Sequence, residues 1–286
     1  MNVFEPENLG LAPAGLSLLR DLIHERTGLF FDDGRTDALS DRIAPLVIGR
    51  GFRSFLDFYY LLKYDDASAA SEWRNVMDAL SVQETYFWRE IDQIQGFVKE
   101  VMPVLARSGD DLPVRIWSAP CATGEEPLTI AMALSEAGWF ERVPIEIHGS
   151  EGSAAAIRRA RAGLYRGRAF RTLPPAMQAR YFMPKGDYWS PCPSLAARIT
   201  SWSVVNLMDE LETAAFATSP AVFCRNAFIY FSPDSVKQVV DRLADRMPEP
   251  GFLFVGASES LLRITDRFVL QELDGAFVYV KRSRST

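Results

Sequence analysis

A chain of 286 residues, 48% hydrophobic and 24% charged, holds enough apolar material for one large domain and a smaller one, each with its own core. Its net charge of −6 disfavours a general nucleic-acid binder, which needs basic surface against phosphate. The opening "MNVFEPENLGLAPAG" lacks a basic n-region followed by an apolar run, and no stretch approaches the ~20 apolar residues of a bilayer span, so a cytoplasmic protein without membrane insertion is expected.

From Leu16 to about Leu80, apolar residues recur at helical spacing: Leu18, Leu22 and Ile23; Leu39, Ile43 and Leu46; Phe55, Phe58, Tyr59 and Leu62. The pattern predicts a small helical domain with turns at "DDGR" (Asp32–Arg35) and "GRG" (Gly49–Gly51). With its linker this domain is assigned residues 1–90, and a second domain residues 91–286. A helix ends near Met102 and Pro103, before the polar break "RSGDD". Beyond it, short apolar strands alternate with helices: "VRIWSA", then "EPLTIAMALSEAG"; "PIEIHGS", then "SAAAIRRARAG". Glycine and proline punctuate short strand-like runs between Gln178 and Asn206, which predicts a β-rich insertion over about residues 178–204. "PAVFCRNAFIYF" opens with a strand, "SPDSVKQVVDRLADRM" is a helix with Ser232 as N-cap and Pro233 at its first position, and "GFLFVGAS" is another strand. "FVLQEL" and "AFVYVKR" flank Asp274-Gly275, which favours a type I′ hairpin. A parallel α/β sheet closed by an antiparallel hairpin resembles the Rossmann-like class I methyltransferase sheet.

The cysteines Cys121, Cys192 and Cys224 are far apart and the histidines are His24 and His148, so neither a disulfide framework nor a metal site is expected. "RIWSAPCATGEEPLTIAMAL" reads as strand, turn and helix. At such a turn one expects glycines around a phosphate; here stand Glu125 and Glu126. Thr123 and Glu126 have the spacing of a capping box, with Pro127 tolerated in the first helical turn, but this leaves Glu125 unexplained. Two carboxylates repel phosphate, so the ligand expected at this strand end is cationic or rich in hydroxyl and amino donors. Glu151 ends the next strand, at about the separation where dinucleotide folds place the acid that meets ribose hydroxyls. A ribose-bearing ligand without phosphate fits both observations, and S-adenosylmethionine is one. Two further stretches, "SVQETYFWRE" and "CRNAFIYF", read in isolation as an interdomain hinge and as core.

Taken in order, these segments resemble the chemotaxis-receptor glutamate methyltransferase family, CheR. The resemblance rests on "LIHERTGLFFDDGRTDALSDRI" and "GFRSFLDFYYLL" in the helical domain, then "QETYFWRE", "WSAPCATGEEP", "ARAGLY", "CRNAFIYF" and "GASESL", and spans nearly the whole chain. It implies methyl transfer from S-adenosylmethionine to glutamate side chains in the cytoplasmic helical region of a chemoreceptor; some relatives also grip the receptor's C-terminal tail, which stays open here on sequence alone, and nothing in the sequence demands an oligomer, so a monomer is expected. By the same resemblance Arg89 and Tyr230 orient the acceptor carboxylate. Gln83, Thr85, Arg89, Glu125, Glu151, Asn206, Leu207, Cys224, Arg225 and Asn226 fall at the cofactor site, with Glu151 on the ribose and Asn226 holding a turn. No nucleic-acid partner is expected.

The sequence departs from the family pattern at Glu151 (usually Asp), Gln83 (Asn), Trp88 (Phe) and Ala257 (His). Its helical domain is also acidic, with 8 Lys and Arg against 13 Asp and Glu from Met1 to Leu80 and one basic cluster, Arg42, Arg50 and Arg53. Positive charge gathers instead between Gly152 and Gly186, where 8 basic residues meet no acidic one. That run reads either as a solvated face or as a docking surface for an acidic partner. Two rivals stay open on sequence alone: a nucleic-acid methyltransferase, for which Tyr165 and Phe170 would be stacking residues, and a non-catalytic module that binds cofactor or partner.

Overall fold

The helical periodicity of the N-terminal third is realised as four helices, α1 (Leu16–Thr27), α2 (Thr36–Gly49), α3 (Phe55–Tyr64) and α4 (Asp66–Leu80), in a computed structural model that describes residues 14–107 and 112–282. Leu19, Ile23, Leu39, Ile43, Phe55, Phe58, Leu62 and Leu80 form their core. The inward stripe of α1 is Leu19 and Ile23, one turn apart, so Leu18 faces outward and is 48% exposed. Glu72 is buried on α4 and ion-paired with Arg50, whose Nε donates to it at 2.8 Å, while Arg42 donates to the Leu80 carbonyl at 3.1 Å. Two of the three arginines of the expected basic cluster therefore serve the domain's own packing.

Helix α5 (Ile91–Gly96) continues through a π-helical turn, Phe97–Val101, into α6 (Met102–Leu105). Residues 108–111 of the expected polar break lie outside the described residues. There follow β1 (Val114–Ser118), α7 (Glu125–Glu136), β2 (Ile145–Glu151), α8 (Ala154–Ala162), α9 (Pro175–Tyr181), β3 (Phe182–Lys185), β4 (Tyr188–Pro191) and α10 (Pro193–Ala196). The chain closes with β5 (Ile199–Val204), α11 (Glu210–Thr213), β6 (Ala221–Phe223), α12 (Pro233–Arg246), β7 (Phe252–Phe254), β8 (Phe268–Leu273) and β9 (Ala276–Lys281).

Seven strands form one sheet in the order β5-β2-β1-β6-β7-β9-β8, parallel through β7 and antiparallel at β9 and β8. This is a class I methyltransferase sheet. Asp274 and Gly275 have φ of +41° and +85°, the positive pair that a type I′ turn requires. Strand residues alternate between two cores: Ile116 and Phe223 pack with Phe97 and Leu128 on one side, Trp117, Val222 and Leu253 with Val236, Val240 and Leu243 of α12 on the other. Helices cover both faces, which is why these strands read as continuous apolar runs.

The β-rich stretch is narrower than its sequence reading. Only β3 and β4 form a separate antiparallel pair, whereas Ile199–Val204 is β5, the parallel edge strand beside β2. The same glycine and proline punctuation surrounds both, and pairing partners distant in sequence decide between them. The order in which strands are added reverses at β1, whose parallel neighbours are β2 on one side and β6 on the other, and this switch point opens a cleft at the carboxyl ends of those strands.

Candidate active site

After β1 the chain turns through residues 119–124 before α7 begins at Glu125. Three contacts hold that turn: the Cys121 N–H donates to the Ser150 carbonyl (2.8 Å), the Ala122 N–H to Glu151 Oε2 (3.1 Å), and the Tyr165 hydroxyl to the Thr123 carbonyl (3.0 Å). Gly124 has φ of +98°, and a Cβ there would stand 2.9 Å from the Trp202 ring and 3.0 Å from the Tyr165 hydroxyl, so the position demands glycine. The capping box is not formed. The residue preceding α7 is Gly124 rather than Thr123; the Thr123 hydroxyl donates to Glu125 Oε2 (2.7 Å), and Glu126 accepts from the Ser118 hydroxyl (2.7 Å).

Glu126 belongs to a buried network. Arg225, with 1% of its side chain exposed, lies 3.2 Å from Glu126 and 3.3 Å from Glu90, and donates to the Arg89 carbonyl at 2.7 Å. Glu90 also accepts from Asn226 Nδ2 (3.1 Å) and the Ala257 N–H (3.0 Å). Burial works to raise the Glu90 carboxyl, but Arg225, Asn226 and Ala257 outweigh it and hold it below its ordinary value. At Glu126 burial wins over the same guanidinium and the Ser118 hydroxyl, and its carboxyl is pushed up. Burial also raises Glu125 and raises Glu151 against the N–H groups of Ser153 and Ala122.

Arg89 sits between two residues in the left-handed region, Trp88 (φ +70°) and Glu90 (φ +48°). Each such conformation costs roughly 1–3 kcal/mol and persists only where the surroundings over-determine it. Here Phe87 is clamped among Tyr165, Phe170 and Phe182 at centroid distances of 4.8, 5.0 and 4.7 Å, and the Trp88 N–H donates to Thr129 Oγ1 at 3.2 Å. The segment is thus more than a hinge, because Phe87 belongs to the core of the sheet domain.

Two compartments share Val82, Pro120, Glu151 and Asn226 and form one cleft. Thr85, Arg89, Glu151, Arg225 and Asn226 line the first; Glu151, Asn206, Leu207, Asn226 and Tyr230 line the second. Gln83, Glu125 and Cys224 are absent from that lining. The Gln83 amide is engaged by Ser153 (3.4 Å) and Arg159 (2.9 Å), and Glu125 is turned onto Thr123. Cys224 is buried against the α12 side of the sheet, and burial pushes its thiol up, away from thiolate chemistry. Neither histidine lines the cleft: His24 bonds to Ser232 (2.9 Å) and His148 to Ser201 (2.8 Å). Tyr165 and Phe170, 4% and 6% exposed, are core residues and present no face for a base to stack on.

Some functional positions escaped the sequence reading. Glu259 accepts from the N–H groups of Asn226 (2.7 Å), Gly256 (2.6 Å) and Ile229 (3.1 Å), clamping the loop that carries Arg225, Asn226 and Tyr230. Its motif, "GASESL", was visible, but not its role. The helical domain supplies part of the cleft wall through Thr27, Leu29 and Met77. Leu29 bridges to Phe231, the Phe30 N–H donates to the Tyr230 carbonyl (2.8 Å), and Asn206 Nδ2 donates to the Arg26 carbonyl (2.7 Å).

This donor set suits S-adenosylmethionine. A buried acid, Glu151, stands where the two compartments meet and lines both. The start of α8, the helix that follows β2, is occupied from the helical domain: Asp78 of α4 accepts from the Ala155 N–H (2.9 Å) and the Ser153 hydroxyl (2.7 Å) there. Among the described residues no group of His, Cys, Asp and Glu is arranged to hold a metal ion, and no helix is long and apolar enough to cross a membrane.

Comparison with known proteins agrees with the geometry. Residues 83–277 match the family model described as CheR methyltransferase, SAM binding domain, and residues 14–81 match CheR methyltransferase, all-alpha domain. Chemotaxis protein methyltransferase 2 of Vibrio cholerae is 30% identical over 264 residues, covering 92% of this chain and 91% of that protein. Chemotaxis protein methyltransferase 1 of Pseudomonas aeruginosa is 27% identical over 95% of this chain and 99% of its own, and the Escherichia coli chemotaxis protein methyltransferase 29% over 93% and 91%. The chain belongs to the CheR methyltransferase family and is a methyltransferase that takes its methyl group from S-adenosylmethionine.

Proposed function

We propose that this protein methylates glutamate side chains in the cytoplasmic helical region of a chemoreceptor and so tunes chemosensory adaptation. The observation that carries the reading is Arg89, locked between two strained residues with its side chain at a cleft that no histidine lines. S-adenosylmethionine supplies an electrophilic methyl group on a sulfonium. A glutamate carboxylate, with a reference pKa of about 4.3, is ionised at neutral pH and is already the nucleophile, so no general base is needed. Arg89 holds it by a charge-assisted hydrogen bond and Tyr230 by its hydroxyl. Glu151 receives the ribose hydroxyls; Thr85, Asn206, Leu207, Arg225 and Asn226 complete the cofactor wall, with Gln83, Glu125 and Cys224 shaping it from behind. The acceptor's charge is lost in the reaction, a change that a water-poor cleft favours.

In this reading the protein works as a cytoplasmic monomer. The free edge of β3 offers backbone donors and acceptors for the receptor's C-terminal tail. The test uses cofactor with a labelled methyl group and receptor-containing membranes from the protein's own source. Label released as methanol by mild base, and reduced at least tenfold by Arg89→Ala and Tyr230→Phe while calorimetry shows cofactor still bound, supports a carboxyl ester. Base-stable label, or rates unchanged in both variants, overturns it.

A further inference from the structure

The linker residue Glu84 connects Arg89 to two further arginines. Its carboxylate accepts from Arg171 Nη2 at 2.9 Å and lies 3.5 Å from Arg168 Nη2, while its backbone carbonyl accepts from Arg89 Nη1 at 2.9 Å. Tyr86 makes the same connection through its ring, with the Arg171 guanidinium 3.6 Å and the Arg89 guanidinium 5.6 Å from the centroid. Glu84, Tyr86 and Arg89 all line the cleft. The Arg168 side chain is 80% exposed and that of Glu84 54% exposed, so the arginine pair stands at the mouth, in contact with solvent.

We propose that Arg168 and Arg171 form a second carboxylate subsite, which Glu84 fills in the free protein and which an acidic side chain one helical turn from the acceptor glutamate fills on docking. The proposal rests on the glutamate-acceptor reading above. Side chains one helical turn apart have Cβ atoms about 5–6 Å apart, and Arg89 and Arg171 are neighbours through the one Tyr86 ring that both guanidiniums approach. Exchanging one carboxylate for another leaves the charge pairing at the arginines unchanged, and exposed pairs such as Glu84 with Arg168 are weak and readily broken. Stacking on Tyr86 keeps the planar fork of Arg171 oriented while the carboxylate changes hands. Arg89 keeps its place throughout, since its bond is to the Glu84 backbone and not to the side chain. The surroundings favour an acidic partner: the stretch from Gly152 to Gly186 has 8 basic residues and no acidic one.

The test measures binding of a fluorescent decaglutamate peptide to the full-length protein at low salt. Glu84→Gln removes the internal competitor and is expected to tighten binding by about threefold or more. Glu272→Gln, an equal charge change on an exposed strand position, is expected to leave it unchanged. Arg168→Gln with Arg171→Gln is expected to weaken binding by about tenfold, with cofactor affinity by calorimetry unaltered as the check on folding. Equal affinities for wild type and Glu84→Gln overturn the subsite, as does equal tightening by Glu272→Gln. In the membrane assay the double arginine variant is expected to raise KM for receptor and leave kcat unchanged. Base-labile label with KM unchanged overturns the subsite and leaves the ester reading standing, whereas absence of base-labile label from wild type with cofactor bound overturns both.

Discussion

At Arg225 one buried guanidinium serves two carboxylates that respond in opposite directions. Glu90 has an amide and a backbone N–H besides the arginine and is held ionised; Glu126 has one hydroxyl besides it, and burial prevails. Removing the arginine leaves both acids without their countercharge, so Arg225→Met is expected to cost about 3 kcal/mol of stability in urea denaturation, well above the usual surface substitution. The pH dependence at Glu90 follows from its lowered value. Its contribution is complete above the ordinary 4.5 and is lost as the pH falls through the lower folded value, so the stability gap between wild type and Glu90→Gln is expected to be widest near neutrality and to close in acid. A gap that widens on acidification would refute this. Both residues were visible in their motifs. Their partnership was not, because 134 intervening residues separate Glu90 from Arg225 and only the fold joins them.

Helix α8 shows the same division at the scale of an element. Its N-cap, Ser153, accepting from the Ala156 N–H, and its left-handed C-cap, Gly163, are both legible in "SAAAIRRARAG". What occupies the helix's positive end is not. The carboxylate of Asp78 on α4 is supplied by the other domain, and it favours that end both as a hydrogen-bond acceptor and as a negative charge on the helix dipole. Asp78→Ala is expected to lose about 1 kcal/mol in urea denaturation, with Asp78→Asn recovering the hydrogen bond but not the charge. Equal stability of wild type and Asp78→Ala would show that Ser153 alone suffices. The turn before α7 teaches the converse: Thr123 and Glu126 have capping-box spacing, yet Gly124 precedes the helix and both side chains turn to other partners.

Over the whole molecule, several contacts stitch the helical domain to the sheet domain, the Arg26 carbonyl with Asn206 among them. Asp78 meets α8, Leu29 and Phe30 meet the residues around Tyr230, and His24 meets Ser232 at the start of α12. Both domains also wall the cleft. Unfolding is therefore expected as one cooperative calorimetric transition, raised as a unit by cofactor, which at a hundredfold excess over Kd adds about 2.7 kcal/mol. Two separated transitions, with cofactor moving only the upper one, would mean that the helical domain folds and binds independently. The charge distribution belongs to the same scale: in the helical domain Arg50 is consumed by Glu72, while Arg168 and Arg171 of the sheet domain stand at the cleft mouth.

By itself the sequence determined the local events: helix periodicity, the Ser232 cap, the Asp274-Gly275 hairpin, and the acidic turn where a phosphate loop would carry glycines. These depend on residues within a few positions of one another, where backbone preference and spacing act directly. The tertiary structure decided which strand-like run joined the main sheet and which formed the small hairpin, that Cys224 faces the core while Asn226 faces the cleft, and that Arg225, Glu90 and Glu126 share one buried network. Those outcomes depend on partners from about fifty to more than a hundred residues away or on which side of a strand becomes covered. Burial and countercharge, which set the behaviour of Glu90, Glu126 and Glu151, exist only once the chain has closed around them.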